Sequence, residues 1–243
     1  MMTARELRGR AWERLSEGGW LMAVGAFGLY WLMGNVAAQL ISRVGVATGG
    51  IEMLTFGDML RQTGWALPAE LPAELLQVTV PKPRLWYQPL QFVATMLVDG
   101  ALLAGWTVFT VSVMRRGANA LQVFSGFPRF LSMGWLMLAQ TLRIALWSLL
   151  LLVPGIVAFY AYRMAFFLKV DHPEWTASRA LAESRRMMDG HKWRLACLDA
   201  SFIGWMLLVF ATFGAAGLFV NPYMGVTFAA FYEELLDREE QAS

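Results

Sequence analysis

Residues 131–156 read LSMGWLMLAQTLRIALWSLLLLVPGI. From Leu131 to Val153 the stretch carries a single charge, Arg143. An α-helix needs about 20 mostly apolar residues to cross the hydrocarbon core of a bilayer, so this run is long enough to span. Pro154-Gly155 then predicts a tight turn, sending the chain back through a shorter apolar run at 156–170. A helical hairpin this oily has no place in water, which directs attention to the rest of the chain for more of the same.

Composition agrees. The 243 residues are 57% hydrophobic and 16% charged, against about 25% charged in soluble domains. Further spans are expected at 20–42, 90–114, 195–218 and 223–236, the last two joined at Asn221-Pro222. The expected fold is all-α: one integral membrane domain, 1–243, a polytopic bundle of about six spans. It includes two helical hairpins with Pro-containing turns, and interfacial amphipathic helices beside them. The first span follows a polar start and is full length, as expected of an uncleaved signal anchor. Residues 43–89 form an extracytoplasmic loop in this scheme, with Pro-containing repeats at 67–74 and Trp86 and Tyr87 as interfacial aromatics. Fourteen lysines and arginines then fall on one side and four on the other, which places both termini in the cytoplasm by the positive-inside rule.

Two polar segments flank the spans. Residues 1–19 open with Thr3 and Glu6 at capping-box spacing. Leu7, Ala11 and Leu15 follow as an apolar stripe amid arginines, predicting an amphipathic helix on the cytoplasmic membrane surface. The second segment, 171–194, holds Asp171, Pro173, Arg179, Glu183, Arg185, Arg186, Gly190 and Lys192. Pro173 suits a helix start and Gly190 a left-handed cap. Glu183 is spaced to pair with both Arg179 and Arg186. The expectation is a second surface helix whose basic residues meet anionic lipid head groups, or which docks a protein partner at the cytoplasmic face.

Charges inside spans are the best functional pointers, because each is costly to insert. Asp99, Arg143 and Arg163 fall at similar depth near the midplane when counted at 1.5 Å per residue. If their helices adjoin, Asp99 neutralises one arginine and the other is left to hold an anion or a lipid phosphate; an ordinary structural ion pair is the alternative. Asp199 is expected to contact Arg194 or Lys192. Glu233, Glu234 and Asp237 are expected to neutralise basic neighbours. The pairs Ala101/Gly105 and Ala211/Ala215 allow close helix contact.

Several chemistries find no support. A net charge of +2 gives no reason to expect nucleic acid as a partner. Cys197 is the sole cysteine, and His172 and His191 are the only histidines, so neither a disulfide framework nor a metal site is indicated. No phosphate-binding Gly-Lys-Ser/Thr loop, His-Glu-x-x-His or Gly-x-Ser-x-Gly occurs. No enzyme and no cofactor are expected.

Many short motifs occur in one order: Asp171-x-Pro173, Ala180 to Ser184 with Met187, Met188, Gly190 and Lys192, Ser201 to Trp205, Pro222-Tyr223, and Phe231-Tyr232 with Leu235. In this the chain resembles a bacterial integral-membrane family designated domain-of-unknown-function family 975. The resemblance covers most of the chain and is weakest over 47–89. It implies a multi-span protein of the bacterial cytoplasmic (inner) membrane and brings no established activity. Two functions are therefore expected. The first is a non-enzymatic scaffold or modulator of a membrane partner, working through its cytoplasmic helices. The second is a small transporter or lipid-handling protein binding an anionic ligand at Arg143 and Arg163.

Overall fold

The computed structural model describes residues 2–55, 58, 61 and 77–242. The repeat at 67–74 lies outside the described residues. The chain runs α1 (Ala4–Arg14), a wide turn at Leu15–Gly19, α2 (Trp20–Ala47), β1 (Ile51–Thr55), β2 (Thr79–Pro83), α3 (Tyr87–Met114), a 3-10 segment (Ala120–Arg129), α4 (Phe130–Leu150), α5 (Leu152–Ala161), α6 (Ala165–Asp171), α7 (Ala177–Met187), α8 (Lys192–Ala200), α9 (Ile203–Ala211) and α10 (Gly217–Ala242). Among the described residues, five helical stretches are long and apolar enough to cross a membrane: Ala4–Ala47, Tyr87–Met114, Ala120–Leu149, Leu152–Asp171 and Lys192–Ala211. The expected sixth, 223–236, lies within α10, whose apolar start gives way to a charged end from Glu233 onward.

Two compact units result, Asn35–Thr95 and the combination of Met1–Gly34 with Met96–Ser243. In the first, β1 and β2 pair antiparallel with Ile51 opposite Pro83 and Thr55 opposite Thr79. Arg84 grips the Glu52 carboxylate beside them. Tyr87, one of the two expected interfacial aromatics, is buried. Its hydroxyl donates to the Ile41 carbonyl at 2.8 Å, and its ring fills the space that a side chain at Gly50 would need.

In the second unit α1 forms where the capping box places it. Thr3 accepts from the Glu6 N–H, and the Glu6 carboxylate accepts from the Thr3 N–H in return. The stripe of Leu7, Ala11 and Leu15 is almost fully buried. It joins a core built with Phe228, Phe231, Tyr232 and Leu235 of α10, so protein covers the face that the sequence assigns to lipid. Burying Leu7 and Leu15 contributes about 1.5–3 kcal/mol each. Gly18, at φ +104°, makes the bend between α1 and α2, a conformation that costs a residue with a Cβ.

Helix α3 meets the 3-10 segment through missing side chains. A Cβ on Gly105 would sit 1.8 Å from the Val123 carbonyl oxygen, and one on Gly126 would sit 1.9 Å from that of Ala101. The small residues noted at 101 and 105 are therefore packing residues. Backbone approaches backbone here, as small residues permit between apolar helices.

Both prolines read as turn makers lie inside helices. The first hairpin turns at Leu151, in extended conformation at φ −160° and ψ 147°. Pro154 is the third residue of α5, where its missing N–H has no helical acceptor to lose. A Cβ on Gly155 would lie 2.2 Å from Ser148 Oγ, so α5 lies hard against α4. The second hairpin turns between Ala211 and Gly217, where Phe213 and Gly214 have positive φ. Pro222 falls near the start of α10, and the Asn221 side-chain amide donates to the Gly217 carbonyl at 2.8 Å.

The long apolar runs are also interrupted. Residues 162–164 separate α5 from α6, and Ser201–Phe202 separate α8 from α9. The Ala161 carbonyl, released at the first break, accepts from Ser184 Oγ on α7 at 2.8 Å. That contact explains a fully buried serine, since a buried polar group needs a partner. Helix α7 is capped by Thr176 and buries Ala177, Ala180, Leu181, Ser184 and Met187. Ala177, Ala180 and Leu181 cluster with Met133, Leu136, Ala158, Tyr162 and Phe166. This face, too, is covered by the chain.

Candidate functional site

The three charges expected near the midplane have separate surroundings. Asp99, on α3, is within electrostatic reach of Tyr30. Arg143, on α4, donates to Ser178 Oγ at 3.3 Å. Arg163 lies in the break after α5, its guanidinium carbon 4.8 Å from the Phe228 ring centroid and 5.3 Å from that of Phe159. Among the described residues, no ion pair joins Asp99 to either arginine, and neither arginine has an ion pair of its own.

Arg163 lines a cavity of about 140 Å³ whose other walls include Trp106, Thr107, Thr110, Gln140 and Phe228. Thr107 and Thr110, one helical turn apart on α3, are buried. Their hydroxyl protons are used locally, on the Leu103 carbonyl at 2.8 Å and the Thr107 carbonyl at 3.0 Å. Their oxygen lone pairs remain able to accept. Gln140 Oε1 is buried and has no hydrogen-bond partner among the described residues. The cavity thus joins one cation, one amide with unmet hydrogen-bonding capacity, and two hydroxyls. Gln140 is the only amide between 131 and 153. Its isolation in that run is the signal that reading for charge alone passes over.

Asp199 has different partners from those expected. It lies against the Tyr160 hydroxyl and within electrostatic reach of Arg163. Its expected partners are engaged elsewhere: Lys192 with Asp189 at 3.1 Å, and Arg194 with Glu234 at 2.8 Å. The break between α5 and α6 puts Tyr160 and Arg163 beside α8, a tertiary contact that local spacing does not encode.

Two further polar clusters tie the elements together. Arg115 donates to both oxygens of Asp171, at 2.9 and 2.8 Å, and to Glu233 at 2.9 Å. The Tyr232 hydroxyl donates to Asp171 at 2.9 Å. Hydrogen bonding to Asp171 is the main reason the Arg115 pKa rises above its ordinary value. Glu234, only 4% exposed, accepts from Arg194, from Arg238 at 3.0 Å and from the Met2 N–H at 3.1 Å. Burial alone would push this carboxyl up, but the Met2 N–H and Arg194 together hold it below the usual range. At the acidic end of α10, Glu233 takes Arg115, just past the end of α3, and Glu234 takes Arg194 of α8 and Arg238 of α10 itself.

Along α7, Glu183 takes Arg186, which also reaches Glu239 at 2.9 Å. Arg179 instead lies 4.6 Å over the Trp175 ring. Gly190 has φ +73°, the left-handed cap expected of it. The Pro173 carbonyl accepts from Lys169 Nζ at 2.9 Å. Arg185 and Lys192 both line a second cleft.

Residues 135–239 match the family described as "Protein of unknown function (DUF975)". No curated protein and no solved structure matches the chain. The matched region contains Gln140, Arg143, Arg163, Asp171 and Glu234, and stops short of Asp99, Thr107 and Thr110 on α3.

Proposed function

We propose, for a chain whose residues 135–239 match that family of unknown function, that it is a multi-pass membrane protein binding a small anionic group at Arg163. Its place is the bacterial inner membrane, with both termini cytoplasmic. The observation that carries this reading is the cavity itself: Arg163, with no ion pair among the described residues, shares it with a buried Gln140 Oε1 that lacks a partner. A cation held within an apolar bundle is costly unless compensated, and Phe159, Phe228 and the Asp199 carboxylate within electrostatic reach offset only part of that cost. An anion entering the cavity would supply the balance. Gln140 could present either end of its amide, since the oxygen and nitrogen exchange by a simple flip.

Size limits the ligand. An apolar cavity of about 150 Å³ accommodates benzene, so about 140 Å³ suits one phosphate or carboxylate group rather than a whole phospholipid. The role is binding or passage, with no bond made or broken. A scaffold working through exposed cytoplasmic helix faces has less support, because the apolar faces of α1 and α7 are covered by the chain's own core.

The test compares wild type with Arg163→Gln and Gln140→Leu in detergent, titrating inorganic phosphate, acetate and a short-chain phosphatidic acid by calorimetry. Thermal unfolding of each variant serves as the folding control. Saturable binding of one of these anions, lost in Arg163→Gln, is the expected result. Identical titrations for wild type and a folded Arg163→Gln would end this reading. Binding of phosphatidic acid alone would assign the anion to a lipid, and binding of phosphate alone would assign it to a solute.

A further inference from the structure

The α4–α5 hairpin borders a second cleft, of about 270 Å³, which shares no lining residue with the Arg163 cavity. Trp147 of α4, Val153 and Val157 of α5, and Tyr162 form an apolar wall. Arg185 at the end of α7 and Lys192 at the start of α8 bring two cations to the same cleft. The tight α4–α5 contact at Gly155 and Ser148 closes the hairpin on itself, so the opening lies between it and the helices that follow. Beside the cleft the hairpin is bare hydrocarbon, with Leu149 87% and Leu152 73% exposed.

From this juxtaposition we infer that the cleft is a seat for one anionic phospholipid of the surrounding bilayer, its phosphate between Arg185 and Lys192 and the start of one chain along Trp147 and Val157. Each half of the site excludes a simpler occupant. A free anion has no use for the apolar wall, and a zwitterionic lipid gains little from two cations. Arg185 has no ion pair among the described residues. Lys192 shares its charge with Asp189, whose side chain is 85% exposed, so the ammonium can turn to a phosphate without stranding a buried carboxylate. Asp189 is the acidic group beside the two cations, and its solvation limits its competition. The volume lies just under the roughly 300 Å³ that marks the lower end of small-molecule pockets. It therefore takes the phosphate end and the first methylenes, the remaining chain lying along the exposed hairpin.

The experiment is native mass spectrometry of the full chain in detergent, titrated with phosphatidylglycerol or phosphatidylcholine. Two basic residues near an acidic head group are expected to favour it on the order of 30-fold over the zwitterion, from about 1 kcal/mol per residue. The double variant Arg185→Gln/Lys192→Gln should lose that preference. Val157→Trp, which keeps both cations and fills the wall, should lower the retention of phosphatidylglycerol at unchanged thermal stability. Arg163→Gln should leave the preference intact, so this inference and the Arg163 site succeed or fail separately. Equal retention of the two lipids by wild type, or an undiminished preference in the double variant, would overturn it. So would a loss of preference seen only in Arg163→Gln.

Discussion

Glu234→Gln is the most informative single substitution for the architecture. The carboxylate is 4% exposed and accepts from Arg194 at 2.8 and 3.0 Å, Arg238 at 3.0 Å and the Met2 N–H at 3.1 Å. Glutamine preserves the size and one acceptor oxygen but leaves two arginines facing a neutral amide. Removing one partner from a buried ion pair costs about 3–5 kcal/mol. The side chains of Arg194 and Arg238 are 19% and 30% exposed, so water recovers part of the loss and the lower figure, about 3 kcal/mol, applies. That is a factor of more than about 100 in an opening equilibrium. Because Glu234 holds Met2, the loss should appear first in α1, as faster hydrogen exchange of the amides from Leu7 to Leu15. The pH dependence has a definite sign. The folded carboxyl is held below its usual range, so its contribution is complete above the usual glutamate pKa and disappears as pH falls through the folded value. Wild type should therefore approach the variant in acid. A variant within about 0.5 kcal/mol of wild type at neutral pH, or one with the same acid profile, would refute the assignment of this cluster as the tie between α1, α8 and α10.

Three further outcomes are expected. Gly105→Ala should destabilise by at least about 1–3 kcal/mol, read as a lowered Tm in detergent, because its methyl would overlap the Val123 carbonyl; Gly117→Ala, with nothing within 4 Å, is the control. Ser184→Ala should cost about 1–3 kcal/mol by leaving the Ala161 carbonyl without its donor, and limited proteolysis near residues 161–165 should detect the loosening. Burial, then Arg194 and Arg238, lower the His191 pKa, so the neutral imidazole's contribution is complete above the usual histidine pKa and is lost as pH falls below it; His191→Gln should flatten the stability profile between about pH 7 and 5.

The spans were legible because a run such as 131–153, with one charge in its length, leaves an α-helix as the natural membrane-crossing structure. The turns were less so. Pro154 marks a place where a helix has just begun as readily as one where it stops, since a first-turn N–H has no helical partner in either case; Pro222, sixth in α10, lies past the first turn and still inside the helix. The stripes on α1 and α7 were also visible in the spacing of Leu7, Ala11 and Leu15 and of Ala177, Leu181 and Ser184. Spacing alone does not say what covers a stripe, because lipid and a neighbouring helix present the same hydrocarbon to it. Arg163 was found as a charge out of place. Its companions were not, since the meeting of Thr107, Gln140 and Phe228 depends on which helices adjoin.

The bond from Ser184 to the Ala161 carbonyl has a consequence for biogenesis. Helix α5 has 10 residues, about 15 Å of helix, half of a hydrocarbon core about 30 Å thick. A ribosome that has delivered the α4–α5 hairpin to the membrane has not yet made the donor for the carbonyl at its end, which lies 23 residues farther on. Until α7 arrives, that carbonyl must keep water or a temporary partner. The hairpin can enter the bilayer early, but it can lock only after residue 184 has emerged, which makes α7 the latch of the assembly.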